Sequence, residues 1–376
     1  MKIAFTAPMK PLDHPVPSGD RTMGRLIVKA LEEAGHEIRI ASTFRSWRKE
    51  GSREIQKEVE REALIEAERI ATDWTRQSYK PDVFLTYHLY HKAPDWIGPM
   101  LCANFDLPYA VVEASRAPKR QSGAWAYGFA AADTALKRAN AVAAIHNADA
   151  ECLGAVVPES RLDVLLPFLD AAPFQAAAEA SRRPPASVPL KLLTVAMMRE
   201  GDKMRSYEVL AGALENIADQ PWQLTIVGDG PAKEHVLKLF PSNRVTWAGA
   251  AKPEQLPAHY AQSDLLVWPA IREAFGLVFL EAQASGTGVI AGDTFGVPDI
   301  VRDSETGLLS AEGDAEAFAA NLARVIENPA LADKMGRAAS AHIRERHTLE
   351  AGGIRLESLI QKAIGNHAHG QEGQTK

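Results

Sequence analysis

Short apolar runs alternate with longer amphipathic stretches along almost the whole chain. Residues 2–6 predict a strand, and a loop through Pro11, Pro15 and Pro17 follows. Leu26, Ile27, Ala30 and Leu31 then recur at helical spacing until Gly35. Further strands are predicted at 38–41, 82–87, 109–112 and 141–145, with helices at 53–73, 123–138 and 148–155 between or after them. A stretch rich in Ala, Pro, Ser and Arg interrupts the pattern at 171–187 and reads as a linker. The alternation then restarts, with strands at 191–196, 223–227, 244–248, 265–268, 289–291 and 307–309. Helices are predicted at 314–328, 331–346 and 349–364. Strands regularly separated by helices imply parallel sheets covered on both faces, and two such series imply two Rossmann-like α/β domains. The predicted division is 1–170, linker 171–187, 188–348, a helix over 349–366 returning towards the first domain, and a frayed tail at 367–376. The two domains are expected to face one another, with the site in the cleft between them.

Length supports two cores, because 376 residues exceed what one ordinary core sustains. A net charge of −6 argues against general nucleic-acid binding. Cys102 and Cys152 supply neither a disulfide framework nor a zinc site. No apolar run reaches 18 residues, so a cytoplasmic location is expected. The basic segments 44–49, which contains Phe44 and Trp47, and 116–120 suggest an anionic acceptor or peripheral contact with the inner face of a membrane.

Candidate chemistry gathers at the predicted strand ends. Residues 265–281 read as a buried strand ending at Pro269, a polar turn, and a helix opened by Phe275-Gly276 and continued by Leu277 and Val278. A strand entering a helix through such a turn leaves backbone N–H groups available to a phosphate. Glu273 and Glu281 bracket that terminus, about 12 Å apart if the interval is helical. One carboxylate could then hold each end of a ligand carrying a diphosphate in its middle. Arg199 and Lys203, in the loop after the strand at 191–196, suit neutralisation of a leaving diphosphate. Gly228 and Gly230 form a turn after the strand at 223–227, and Gly19 marks a sharp turn or close backbone approach near the start of the chain. His88 and Glu113 lie at the ends of two strands of the first half, where open α/β sheets bind ligands, and His91 is an alternative to His88.

The spacing of Glu273 and Glu281 around Phe275-Gly276, together with Lys203 and the Gly228-Asp229-Gly230-Pro231 turn, resembles the retaining glycosyltransferases of family 4. The resemblance implies the GT-B fold and transfer of a sugar from a nucleotide-diphosphate sugar to a glycan, lipid-linked glycan or small-molecule acceptor, as in cell-envelope or exopolysaccharide synthesis. It implies Glu281 on the ribose, Glu273 on the sugar, Lys203 and Arg199 on the diphosphate, and Gly19, Gly228, Gly230, Phe275, Gly276, Leu277 and Val278 around the donor. His88 and Glu113 become acceptor-side groups. No Asp-x-Asp stands at a strand end, so no metal or other cofactor is required by the sequence. A nucleotide-sugar epimerase of the same fold and a non-catalytic nucleotide-binding protein are the competing readings.

Overall fold

The computed structural model describes residues 1–16, 18–181, 183–274 and 276–374. The chain divides into two compact units, Met1–Leu166 with Leu349–Lys376, and Pro167–Thr348. In the first unit the order is β1 Lys2–Thr6, α1 Gly19–Glu33, β2 Glu37–Ser42, α2 Arg53–Arg76, β3 Val83–Leu89, α3 Ile97–Phe105, β4 Tyr109–Ala114, α4 Ala126–Arg138, β5 Ala141–Ala144, α5 Asn147–Leu153 and β6 Leu162–Val164. The second unit contains α6 Ala172–Ser181, β7 Leu190–Val195, α7 Asp202–Asn216, β8 Trp222–Val227, α8 Lys233–Lys238, β9 Val245–Gly249 and α9 Leu256–Ala261. It continues through β10 Leu265–Trp268, α10 Leu277–Ala284, β11 Gly288–Asp293, α11 Val297–Ile300, β12 Gly307–Ala311, α12 Ala315–Glu327 and α13 Ala330–Arg346. The helix α14, Leu349–Gln374, completes the first unit.

All strand pairs in the two sheets are parallel, and the order explains where ligands can bind. The first sheet runs β2-β1-β3-β4-β5-β6 and the second β12-β11-β10-β7-β8-β9. Strand order reverses between β1 and β3 in the first sheet and between β7 and β10 in the second. At such a reversal the loops leaving neighbouring strands splay to opposite faces and open a crevice at the carboxyl ends. Interior strands such as β3 and β10 are covered on both faces and are therefore buried along almost their whole length rather than alternating.

Several local expectations are revised. Residues 172–181 are helical, not an extended linker: the alanine-rich run outweighs its neighbouring Pro and Ser signals, and α6 packs on α9. The 53–73 segment extends to Arg76 and is more than a charged surface helix, because Val59, Ala63, Ala67, Ile70 and Trp74 are buried. β6 was missing from the sequence reading because a three-residue edge strand has no periodicity to detect. The final helix continues past 366 to Gln374, where a frayed tail was expected, and it packs on α1, β4 and β5. His36 Nε2 lies 2.5 Å from Glu357 Oε2 on that helix.

Candidate functional site

The second unit places its candidate residues at the β7/β10 reversal. Gly201, at φ 87°, ends the β7 exit loop, and α7 begins at Asp202. Lys203 therefore stands in the first turn of a helix rather than in a loop. A cation there opposes the helix dipole, so an anionic partner is needed to offset it. Glu273 is that partner: Lys203 Nζ donates to Glu273 Oε2, with 29% and 19% of the two side chains exposed. The ammonium also lies 5.4 Å from the centroid of the Trp268 ring, at the end of β10. Arg199 is exposed and makes no ion pair among the described residues.

The loop between β10 and α10 is held in an uncommon shape. Ala270 and Arg272 have φ of 57° and 51°, in the left-handed region that costs non-glycine residues roughly 1–2 kcal/mol. Ser206 Oγ accepts from Ile271 N at 2.9 Å, which ties the loop to α7. Gly276 caps α10 at φ 61°, and no side chain caps the helix. The helix thus starts at Leu277, and Glu273 precedes it. Only the Leu277–Glu281 interval carries helical rise, about 6 Å, so the all-helical interval from which 12 Å was expected is not what the chain forms. A Cβ at Gly276 would lie 2.9 Å from the Phe279 ring and 3.1 Å from Glu273 Cγ, so this glycine also makes room for Glu273. Leu277 and Val278 are half-buried in the first turn. Phe275 lies outside the described residues.

Glu281 is fixed from a different element. The buried Tyr260, on α9, donates its hydroxyl to Glu281 Oε2 at 2.7 Å. Burial raises the Glu281 carboxyl above its ordinary range, and the Tyr260 hydrogen bond opposes the rise. Tyr260 was missed by sequence reasoning, since nothing in a helical tyrosine 21 positions away marks it as a partner. Gly228 and Gly230 have a definite structural reason. A Cβ would come within 1.9 Å of Ala196 O and 2.2 Å of Met198 O, respectively, where the loop after β8 packs on the loop after β7. Met198 N donates to Asp229 O, and Ala232 N to Met198 O, both at 3.0 Å. Beside this loop Trp247 donates Nε1 to Gly228 O at 2.8 Å, while Lys233 Nζ sits 3.6 Å from its ring centroid. An exposed Trp in the middle of the edge strand β9 carries no sequence signal that sets it apart from a buried one.

The first unit gathers its candidates at the β1/β3 reversal. Ser18 caps α1, its Oγ accepting from Arg21 N at 3.3 Å, so Gly19 and Asp20 form the first turn. Gly19 has no positive φ and no protein atom within 4 Å of where a side chain would begin, so no turn or packing contact within the protein requires a glycine there. His88 and Glu113 lie within β3 and β4 rather than beyond them, both left-handed at φ 62° and 57°. His88 Nδ1 is 3.1 Å from Glu113 Oε1 and 3.5 Å from Asp20 Oδ1. Glu113 is pushed up to about 7 by burial, with Asp20 adding to the rise and His88 and Tyr87 opposing it. Asp20 was not singled out from sequence; the Ser-Gly-Asp start of a helix was its only signal. His91 stands apart with its ring edge-on to Trp125 at 5.5 Å, pushed down to about 4 by burial and by Arg120, Lys92 and Lys119.

The basic segment 44–49 is largely engaged within its own unit. Trp47 donates to the Tyr90 hydroxyl at 3.0 Å, Arg45 stacks over Trp47 at 4.5 Å, and Arg48 pairs with Glu62 at 3.5 Å. Among the described residues no helix is long and apolar enough to cross a membrane.

Residues 181–342 match the family described as glycosyl transferases group 1. The sulfoquinovosyl transferase SQD2 of Arabidopsis thaliana is 32% identical over 154 residues, which is 40% of this chain and 30% of that protein. The D-inositol 3-phosphate glycosyltransferase of Corynebacterium efficiens is 29% identical over 230 residues, 58% of this chain and 53% of that protein. The chain thus spans about half or less of these curated relatives. Among solved structures, sucrose-phosphate synthase from Thermosynechococcus elongatus aligns with TM-score 0.75 and 22% identity, covering 97% of this chain and 99% of that one. Anabaena HepE, in complex with UDP and glucose, aligns with TM-score 0.69 and 16% identity, covering 96% and 99%. The chain has the α/β GT-B fold of glycosyltransferases, and its second unit carries the sequence pattern of the glycosyl transferases group 1.

Proposed function

We propose that this protein transfers a sugar from a nucleotide-diphosphate sugar to an acceptor hydroxyl, with retention of anomeric configuration. The observation that carries the reading is the Lys203–Glu273 pair beside the uncapped N-terminus of α10, at the strand-order reversal of the second sheet. The donor diphosphate would lie against the backbone N–H groups of Leu277 and Val278, with Lys203 and the exposed Arg199 as its counter-charges. Gly228 and Gly230 would border the nucleotide. Glu281, held by Tyr260 through one oxygen, would offer the other to the ribose hydroxyls. Glu273 would position the sugar.

In the reaction the bond between the anomeric carbon and the β-phosphate oxygen breaks, and its electron pair leaves with the diphosphate. The acceptor oxygen forms the new bond on the face that the diphosphate leaves, and its proton passes to the departing phosphate oxygen or to a neighbouring base. Developing negative charge on the diphosphate is what Lys203 and Arg199 stabilise, through fixed charges that need little reorganisation. His88 and Glu113 are the acceptor-side groups of the first unit in this reading. The reaction as written routes no step through a metal.

The test begins with thermal unfolding in UDP, GDP and ADP, UDP being the first choice because HepE is described with UDP. A ligand at 100 times its dissociation constant stabilises the native state by about 2.7 kcal/mol. A shift with one nucleotide, lost in Glu281→Ala, supports the donor site. Acceptor screening with the matching nucleotide sugar, followed by NMR of the product, then reads the anomeric configuration. No shift with any nucleotide defeats the transferase reading, and an inverted product defeats retention.

A further inference from the structure

We propose that Asp20, His88 and Glu113 form a binding site for one divalent transition-metal cation, with zinc the ion whose geometry the three donors fit. One imidazole nitrogen and two carboxylate oxygens converge from the first turn of α1 and the ends of β3 and β4, all three ligand atoms lying within 4.8 Å of one another. Around tetrahedral zinc, donors at about 2.0–2.1 Å from the metal stand roughly 3.3–3.4 Å apart. The observed separations from His88 Nδ1 are 3.1 Å to Glu113 Oε1 and 3.5 Å to Asp20 Oδ1.

An internal hydrogen-bond network does not account for this convergence. His88 Nδ1 has no hydrogen bond of acceptable direction despite its closeness to both carboxylates. Glu113 is only 5% exposed, and its Oε2 and the Tyr87 hydroxyl are buried near one another but short of good hydrogen-bond direction, so Tyr87 only partly satisfies the carboxylate. Two carboxylates and an imidazole nitrogen directed at one point form a donor set that a single divalent cation can satisfy. The backbone supports the same conclusion. His88 and Glu113 both take the left-handed conformation, uncommon for such residues and for strand ends, and this turns their side chains into a shared space. Asp149, the next nearest acid, is already engaged: Ser115 Oγ donates to its Oδ1 at 3.2 Å, and its Oδ2 lies 3.2 Å from His146 Nε2. The cation would take the remaining coordination position from an oxygen ligand, either water or a substrate hydroxyl. All three donors belong to one unit, so metal binding can be read without the transfer reaction, and a bound cation would replace the direct acceptor-side role proposed above for His88 and Glu113.

The experiment uses the full chain, stripped with a chelator and dialysed, then titrated with zinc alone by calorimetry and with cobalt alone by visible absorption. Wild type is expected to bind one equivalent of zinc, raising its unfolding temperature, and to give the intense visible bands of tetrahedral cobalt. Asp20→Asn and Glu113→Gln should each weaken zinc at least tenfold while circular dichroism of the metal-free proteins stays unchanged. His367 and His369 on α14 are surface histidines to which zinc could bind adventitiously, so the double variant His367→Ala/His369→Ala is included. It should bind zinc like wild type. Should Glu113→Gln fail to fold, Asp20→Asn decides, since Asp20 is partly exposed at a helix start. No stoichiometric binding by wild type overturns the proposal. So does binding that survives Asp20→Asn, or that disappears with the α14 histidines.

Discussion

Replacing Tyr260 with Phe tests whether the fold fixes Glu281 for a ligand or merely accommodates it. Tyr260 is fully buried, its ring meets Phe174 edge-on at 5.9 Å, and its hydroxyl donates to Glu281 Oε2 at 2.7 Å. Phenylalanine keeps the ring contacts and removes one O–H. A hydrogen bond to a charged acceptor contributes a net of about 1.5–3 kcal/mol. Glu281 is only half-buried, so water can take over part of the lost interaction and the lower value of about 1.5 kcal/mol applies. In a unit the size of Pro167–Thr348 that lowers the unfolding temperature by about 3–6 °C. A freed Glu281 must also be ordered when nucleotide binds, at a cost of about 1 kcal/mol, which weakens the nucleotide about fivefold. The assay is calorimetric titration with UDP, or whichever nucleotide shifts the wild-type melt, on wild type, Tyr260→Phe, Glu281→Ala and the double variant. If Tyr260 acts through Glu281, the two changes are non-additive and the double variant binds like Glu281→Ala. An equal fall in affinity from Tyr260→Phe with and without Glu281 refutes that coupling. Unchanged affinity in both single variants refutes the ribose role of Glu281 altogether.

Gly230→Ala places a Cβ 2.2 Å from Met198 O, a backbone atom that cannot step aside, so the second unit should lose several kcal/mol or fail to fold; a wild-type melting curve would contradict this. Arg199→Ala, at an exposed position, should leave stability within about 0.5 kcal/mol while slowing transfer about 10²-fold; unchanged turnover removes Arg199 from the diphosphate site. Acid sensitivity should come in part from the buried pair His342 and His347. His347 Nδ1 donates to Pro167 O at 2.7 Å, so its Nε2 accepts from His342 Nε2 at 3.2 Å, leaving His342 Nδ1 buried without a partner. Burial, with Arg302 and Arg346, pushes His342 down to about 4, against the opposing pull of Glu305 and Glu345. Between about 6.5 and 4 the unfolded chain therefore binds more protons than the native one. Stability from this group is complete above about 6.5 and is lost as pH falls towards 4. Urea midpoints measured across that window should fall less steeply in His342→Gln, and identical slopes would exclude the pair as the source.

Much of the architecture was legible because its signals are local. The runs that became β3, β10 and β11 are largely apolar since they are covered on both faces, and their spacing with amphipathic stretches gave two parallel α/β series. Lys203, Glu273, Gly276 and Glu281 could be named because each stands beside a strand–helix junction that the pattern exposes. Boundaries were less legible. Lys203, expected in a loop, proved helical because the left-handed Gly201 starts the helix at Asp202, whereas Glu273 precedes its helix as expected. The alanine-rich 172–181 segment was hidden behind its Pro and Ser neighbours. For Gly228 and Gly230 the sequence suggested a ligand, and the fold adds a backbone contact that requires glycine whether or not a ligand binds.

By itself, then, the sequence determined the element types, the α/β class and the strand ends at which chemistry is possible, since hydrophobic periodicity and turn residues act over a few positions. Tertiary structure alone decided which strand ends become neighbours. Only the reversal between β7 and β10 brings Lys203 to Glu273 across 70 positions, and only the packing of α9 on α10 sets Tyr260 on Glu281. In the first unit the β1/β3 reversal joins Asp20 to His88, and the pairing of β3 with β4 adds Glu113. Strand order is fixed by how whole helices and strands pack, a long-range choice that leaves no periodic trace in the residues it brings together.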